Sequence, residues 1–366
     1  VQSAASTTAS STVRIFTPRW ELFVLATGFL PLVAILLYEL AGLGLRADWQ
    51  LRLLGDLFLL NVIHNFFSLY IIWRSPEVRR AIAESHGGQA RPAHLKAALI
   101  FIGIALTSAF GFFSASEPLA HAWAGFVFRS LAAHHAIVQG FGLSLLYNRA
   151  LRQSTSLTAE QDLALQNSEL WERRWMWVAT VGIFLSNFYS FRELDFAASF
   201  YLRVAETGRA LIAIAVIGTL WCCIRHPGLR SGNKFVFNLR KIFFVIEPGN
   251  LLYLAFVRAV HGFEYLAVTQ QIHKQSQTDR KASVSALVWI CGSLLTAVLL
   301  LSRILVVSDS PWGAEFRGPI WIWLSSFSIA LTVTHYYYDA IIYRFSQPEV
   351  RRHVLPLMLP SRGGAS

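Results

Sequence analysis

Long apolar runs alternate with short polar stretches along the whole chain. The runs occupy roughly residues 20–43, 51–73, 97–115, 121–147, 175–191, 207–225, 254–272, 284–306 and 319–343. A helix rises ~1.5 Å per residue, so about 17–25 apolar residues cross a ~30 Å hydrocarbon core. Each run falls near that length. The pattern predicts an all-α fold, a polytopic integral membrane helical bundle. One stretch is ambiguous. Residues 238–253 are apolar but short, and Pro248-Gly249-Asn250 interrupts them. A helix there is expected to end before the proline.

Composition narrows the class. Of 366 residues, 54% are apolar and 14% are charged, against ~25% charged in soluble domains. Mean hydropathy is +0.46. These values exclude a disordered chain, a coiled coil and an ordinary soluble domain. The net charge of +11 would point a soluble chain toward nucleic acid. Here its expected source is the excess of Lys and Arg in cytoplasmic loops, and no nucleic-acid partner is implied. Lys and Arg concentrate at 74–96, 148–174, 225–241, 273–283 and in the C-terminal tail. The intervening regions hold fewer. All the rich segments fall on one side only if 238–253 crosses or half-crosses. The expectation is about ten crossings with both termini cytoplasmic. Residues 1–19 are expected to form a disordered cytoplasmic tail, 20–343 the bundle and 344–366 a cytoplasmic C-terminal tail. Cys222, Cys223 and Cys291 lie in apolar runs and imply no disulfide framework.

Two apolar runs end alike. One reads from His64 through Ile71-Ile72-Trp73-Arg74 to Pro76-Glu77-Val78-Arg79-Arg80. The other reads from His335 through Ile341-Ile342-Tyr343-Arg344 to Pro348-Glu349-Val350-Arg351-Arg352. Aromatic and basic residues anchor the end of any membrane helix. That accounts for the endings and not for the histidines. His134-His135 precede Tyr147-Asn148-Arg149, and His261 precedes His273-Lys274. Counted back from the basic end, His64, His135, His261 and His335 stand about 14–21 Å above the cytoplasmic boundary. Their helices are all expected to run from outside to inside. An ionisable residue at mid-membrane is costly and normally faces the bundle interior with a partner.

Any one of these histidines reads most simply as a hydrogen-bonded interior residue. Four at one level point to a shared metal site. The expected ligands are His64, His134 or His135, His261 and His335. Glu264 is at i+3 from His261 and Asp339 at i+4 from His335, which puts each acid on its histidine's face. They are expected to bind the metal or to hold a ligating ring N–H, and to be the catalytic groups. Imidazole with carboxylate and no sulfur suits non-haem iron, with another transition metal as the alternative. Phosphate-binding glycine loops and Gly-x-Ser-x-Gly elbows are absent.

Single mid-membrane histidines on several helices, with His261-x-x-Glu264-Tyr265-Leu266 and His335-Tyr-Tyr-Tyr-Asp339, resemble the Brp/Blh family of bacterial membrane carotenoid oxygenases. The resemblance is one of layout over residues 60–350. It implies a bacterial inner-membrane bundle with histidine-bound non-haem iron, cleaving a carotenoid with O₂. The leading expectation is an iron oxygenase that takes O₂ and a lipophilic, carotenoid-like substrate from the lipid. Two others stand beside it: a proton-coupled transporter, for which Pro248-Gly249 would be the broken helix, and a non-enzymatic pigment-binding or assembly subunit.

Overall fold

The structure is a computed structural model that describes residues 13–30, 32, 65, 69–72, 74–113, 118–191, 198–226, 229–241, 251–276 and 319–359. Among these residues every regular element is helical. In chain order they are α1 (Pro18–Thr27), α2 (Pro76–Glu84), α3 (Arg91–Phe113), α4 (Pro118–Ser154), α5 (Ala159–Ser186), a 3₁₀ turn (Asn187–Phe191), α6 (Ala198–Ile224), α7 (Gly232–Leu239), α8 (Leu251–Gln275), α9 (Pro319–Ile342), α10 (Pro348–His353) and α11 (Leu355–Met358). His64 and the predicted run 284–306 lie outside the described residues, as does most of 20–43 and 51–73.

Local sequence sets the boundaries. Gly87 and Gly88 adopt φ of +74° and +88° and end the segment that carries α2. These are left-handed values that only glycine takes cheaply. Thr158 and Gln161 form a reciprocal capping box at the start of α5. α4 has 37 residues, about 55 Å of helix, and a short turn joins it to α5.

α5 and α6 pack face to face, and α3 packs on α9. Two glycines make the α5–α6 approach possible. A Cβ at Gly182 would lie 2.7 Å from the Gly208 carbonyl oxygen and 2.8 Å from Ile212 Cγ1. A Cβ at Gly208 would run into Ser186 N and the Gly182 carbonyl oxygen. Small residues at such a crossing let two backbones touch, the usual device for packing helices in lipid.

α4, α8 and α9 run parallel. Gly142, seven residues after His135, sits against the Tyr343 ring, eight after His335. Tyr265, four after His261, bonds to Asp339, four after His335. The three histidines therefore share one level.

The largest apolar cluster lies at one end of the bundle and includes Ile15, Phe16, Leu146, Tyr147, Phe237, Ile272, Ile342, Val350 and Met358. It gathers residues 13–16 and 345–359 from the two terminal segments. Residues 13–19 are not part of a free tail: Ile15 and Phe16 are buried, and Glu21 accepts hydrogen bonds from both backbone N–H groups. Residues 344–359 fold back as α10 and α11, with Val350, Val354 and Met358 buried. The repeated Pro-Glu-Val-Arg-Arg strings become α2 and α10, which pack together. Each starts with proline in its first turn, where the missing N–H costs nothing, and each buries its valine completely. Glu84 receives His353 Nε2 at 2.9 Å. The basic stretch 225–241, counted as a cytoplasmic loop, contains α7. Lys234 and Arg240 are buried there.

Two helices among the described residues are long and apolar enough to cross a membrane, Arg91–Gly111 in α3 and Ser199–Ile224 in α6. Polar residues interrupt the others: His134, His135 and Gln139 in α4, Glu172, Arg173 and Arg174 in α5, Arg258, His261 and Glu264 in α8.

Candidate metal centre

His135 on α4, His335 on α9 and Asp339 on α9 meet in the interior and are all buried. One ligand atom from each lies within 4.8 Å of the others. Asp339 Oδ2 is 3.6 Å from His135 Nε2 and 3.5 Å from His335 Nε2. Those separations are long for hydrogen bonds. They match the spacing of ligands around an ion, since two donors each ~2.1 Å from a tetrahedral centre lie about 3.4 Å apart. The group can hold a metal ion.

The third helix contributes His261. Its ring centroid is 5.1 Å from that of His135, and the His135 and His335 centroids are 4.9 Å apart. His135 on α4 thus meets one imidazole from α8 and one from α9. The surroundings fix them. Tyr336 stacks on His135 at 4.0 Å with 20° between the ring planes. Tyr265 Oη donates to Asp339 Oδ1 at 3.1 Å, and the Tyr265 ring packs edge-on against His335. Asp339 therefore offers Oδ2 to the histidines while Tyr265 holds Oδ1. The i+4 spacing of His335 and Asp339 on one helix and of His261 and Tyr265 on another builds this arrangement from two consecutive turns.

Two residues named by the sequence go elsewhere. His134 turns to α5, with Nδ1 3.3 Å from Thr180 Oγ1 and its ring beside Trp177. Glu264 pairs with Arg240 and not with the His135–His335–Asp339 group. Arg240 also covers the Phe237 ring at 3.7 Å and donates Nε to the Phe237 carbonyl. A second buried pair lies one layer away. Lys234 Nζ donates to Glu172 Oε1 at 2.5 Å and to Asn148 Oδ1 at 2.7 Å, and Ser144 donates to Glu172 at 3.0 Å. Sequence reading missed Arg240 and Lys234 because both were counted as loop charges. The available signal was their setting. Phe235-Val236-Phe237 and Ile242-Phe243-Phe244-Val245 enclose Arg240-Lys241, and a solvated loop has no use for that apolar density.

A small cavity of about 60 Å³ opens beside the centre, between α4, α5, α6 and α8. His261, Glu264, Arg240 and Lys241 line its polar end, and Trp175, Met176, Ile212 and Val216 line its apolar wall. No family model, curated protein or solved structure matches the chain.

Proposed function

We propose that this protein is a polytopic inner-membrane metalloenzyme of about ten crossings, which binds non-haem iron at His135, His261, His335 and Asp339 and oxidises a lipophilic substrate with O₂. The observation that carries the reading is the meeting of His135, His335 and Asp339 in a buried interior, with His261 from a third helix against the His135 ring. A structural histidine needs one partner, and three need not share a level.

The membrane setting rests on exposure. Only 17% of the apolar stretch of α3 and 39% of that of α6 is buried, whereas the core helix of a soluble protein is mostly covered. Leu95, Leu99, Ile102, Leu106 and Phe110 form an outward stripe along α3, each more than half exposed. A stripe of that length on a soluble surface is an aggregation hazard, and in lipid it is the normal helix face.

Iron at this site supplies O₂ activation. The chain's own groups do the rest. Tyr265 holds Asp339 in one rotamer, so the carboxylate reaches the histidines without being reorganised. Tyr336 fixes the His135 ring plane. The resemblance to membrane carotenoid oxygenases implies histidines on several helices, and the carboxylate of Asp339 departs from its histidine-only pattern.

The buried pairs Arg240–Glu264 and Lys234–Glu172 favour a second reading, a proton-coupled transporter, since intramembrane charges often mark such paths. Elemental analysis of the purified protein separates the two. The oxygenase reading requires near-stoichiometric iron in the wild type and its loss in His335→Ala. Absence of a transition metal after purification without chelators, and after reloading with Fe²⁺, sinks it.

A further inference from the structure

We infer that the small cavity between α4, α5, α6 and α8 is a hydration site, a chamber that binds a cluster of water molecules and joins two buried ion pairs into one proton-exchanging unit. The inference does not depend on a metal at the histidine group.

Size restricts the occupant. About 60 Å³ is too little for an acyl chain or a sugar. One internal water needs ~10–15 Å³ of such space, so the chamber has room for a small cluster.

The lining restricts it further. Glu172, Thr219, Arg240, Lys241, His261 and Glu264 all border the chamber. The pairs Lys234–Glu172 and Arg240–Glu264 therefore each present an acid to the same space. Arg240 is only 6% exposed. Its Nε donates to the Phe237 carbonyl and its Nη2 reaches Glu264. Its Nη1 is a buried donor with no hydrogen-bond partner among the described residues. Buried donors in folded proteins are nearly always satisfied, by protein or by ordered water. Thr219 Oγ1 donates to the Ala215 carbonyl and keeps its lone pairs as an acceptor. Water in the chamber thus finds a donor in Arg240 and acceptors in Thr219 and the two carboxylates, which supplies the ~2–4 polar partners an internal water requires. Trp175, Met176, Ile212 and Val216 offer it nothing and confine the cluster to the charged side.

The position of the chamber gives the water its work. Glu172 reaches it from α5 and Glu264 from α8, and His261 is part of its wall and part of the histidine group. A proton can pass between the two acids through the cluster. Each water forms one O–H bond as it breaks another, so the transfer needs no oxidant or reductant. The same molecules solvate the faces of both ion pairs that their partners leave bare, which lowers the cost of burying four charges.

The test uses the full-length protein in nanodiscs. X-ray radiolysis turns bound water into hydroxyl radicals, which oxidise the side chains beside it. The two methionines of the chain are internal probes. Met176 lines the chamber, and Met358 is buried in the apolar cluster at the end of the bundle. Met176 should be oxidised ahead of Met358. Ala215 also lines the chamber, and Ala215→Leu, which fills it, should abolish that excess and leave Met358 unchanged. Equal oxidation of the two methionines in the wild type overturns the inference, as does an excess that survives in folded Ala215→Leu. Crystals under xenon pressure give a second reading that needs no variant. Ordered water against Arg240 Nη1 and Glu264 supports the inference. A xenon atom in the chamber, the mark of a dry apolar cavity, overturns it. Iron measured in the same samples keeps the two claims apart. A dry chamber in iron-loaded protein ends this inference alone, and a hydrated chamber in protein that takes up no iron ends the oxygenase reading alone.

Discussion

Asp339 and Glu264 are both acids one turn past a buried histidine, and their neighbours give them different work. Asp339 stands between two imidazoles and takes a hydrogen bond from Tyr265. Glu264 neutralises Arg240. The amide variants should therefore fail in different ways. Asp339→Asn should lose bound metal while the fold survives, read by elemental analysis and thermal unfolding together. Tyr265→Phe, which frees Oδ1 without removing the ligand, should lower metal affinity about 10–100-fold. Glu264→Gln leaves a guanidinium buried without its counter-charge, at a cost of about 3–5 kcal/mol. It should lower the unfolding temperature and leave iron bound at permissive temperature. If Glu264→Gln lost metal and kept its stability, Glu264 would be a ligand and the Arg240 pair incidental. The histidine level was legible in sequence because polar residues are rare in apolar runs and can be counted from a basic end. The partner of Glu264 was not, because a cation close to a loop looks the same whether it turns to water or inward.

At the scale of helices, close approach and corner charge set the behaviour. Replacing Gly182 or Gly208 by leucine forces α5 and α6 apart, since their backbones already touch. Each change should cost at least the ~1–3 kcal/mol of core overpacking. Gly111→Ala, which meets open space, should cost nothing measurable. The α4–α5 corner carries a pH-dependent latch. Arg152 donates to Asp162 at 2.7 Å and to Glu169 at 2.5 Å. The Arg152 and Gln166 hydrogen bonds hold the Asp162 carboxyl below its ordinary value. A carboxyl lowered in the folded state stabilises above the unfolded-state value, and that contribution is lost as pH falls through the lowered one. Hydrogen exchange at the start of α5 should thus accelerate on the acid side of pH 4, and Asp162→Asn should flatten that dependence. Asp162 is solvent-exposed, so the effect should stay local and fade in high salt. Helix existence here was legible from apolar run length. The α2–α10 pairing was half legible: the repeated Pro-Glu-Val-Arg-Arg string stood out, but a repeat says nothing about contact. What joins the two is the completely buried valine of each, a packing term that only the folded chain reveals.

Across the whole molecule, the segments expected on the cytoplasmic side collect at one end. Asn233 donates to the Val13 carbonyl, Ser276 bonds to Glu77, Gln275 donates to the Leu359 carbonyl, and Glu84 meets His353. These contacts tie the N-terminal segment, the first basic loop, the 225–241 region, the end of α8 and the C-terminal segment into one layer. Such a layer has a single side, because chain on opposite faces of a ~30 Å core cannot share hydrogen bonds. In the proposed topology that side is the cytoplasmic one, on the Lys and Arg enrichment; burial of Lys234 and Arg240 removes only part of the bias, since Arg74, Arg79, Arg80, Arg351 and Arg352 remain. The orientation is testable in a background with Cys222, Cys223 and Cys291 replaced by alanine. Ala90→Cys and Thr155→Cys should react with a membrane-impermeant maleimide only from the cytoplasmic face. Trp312→Cys should react only from the opposite face. Labelling of positions 90 and 312 from the same face would remove the ten-crossing topology. The histidine centre would survive that result, because its convergence is set by contacts between α4, α8 and α9, whereas the direction from which lipid-borne substrate and O₂ approach it would have to be redrawn.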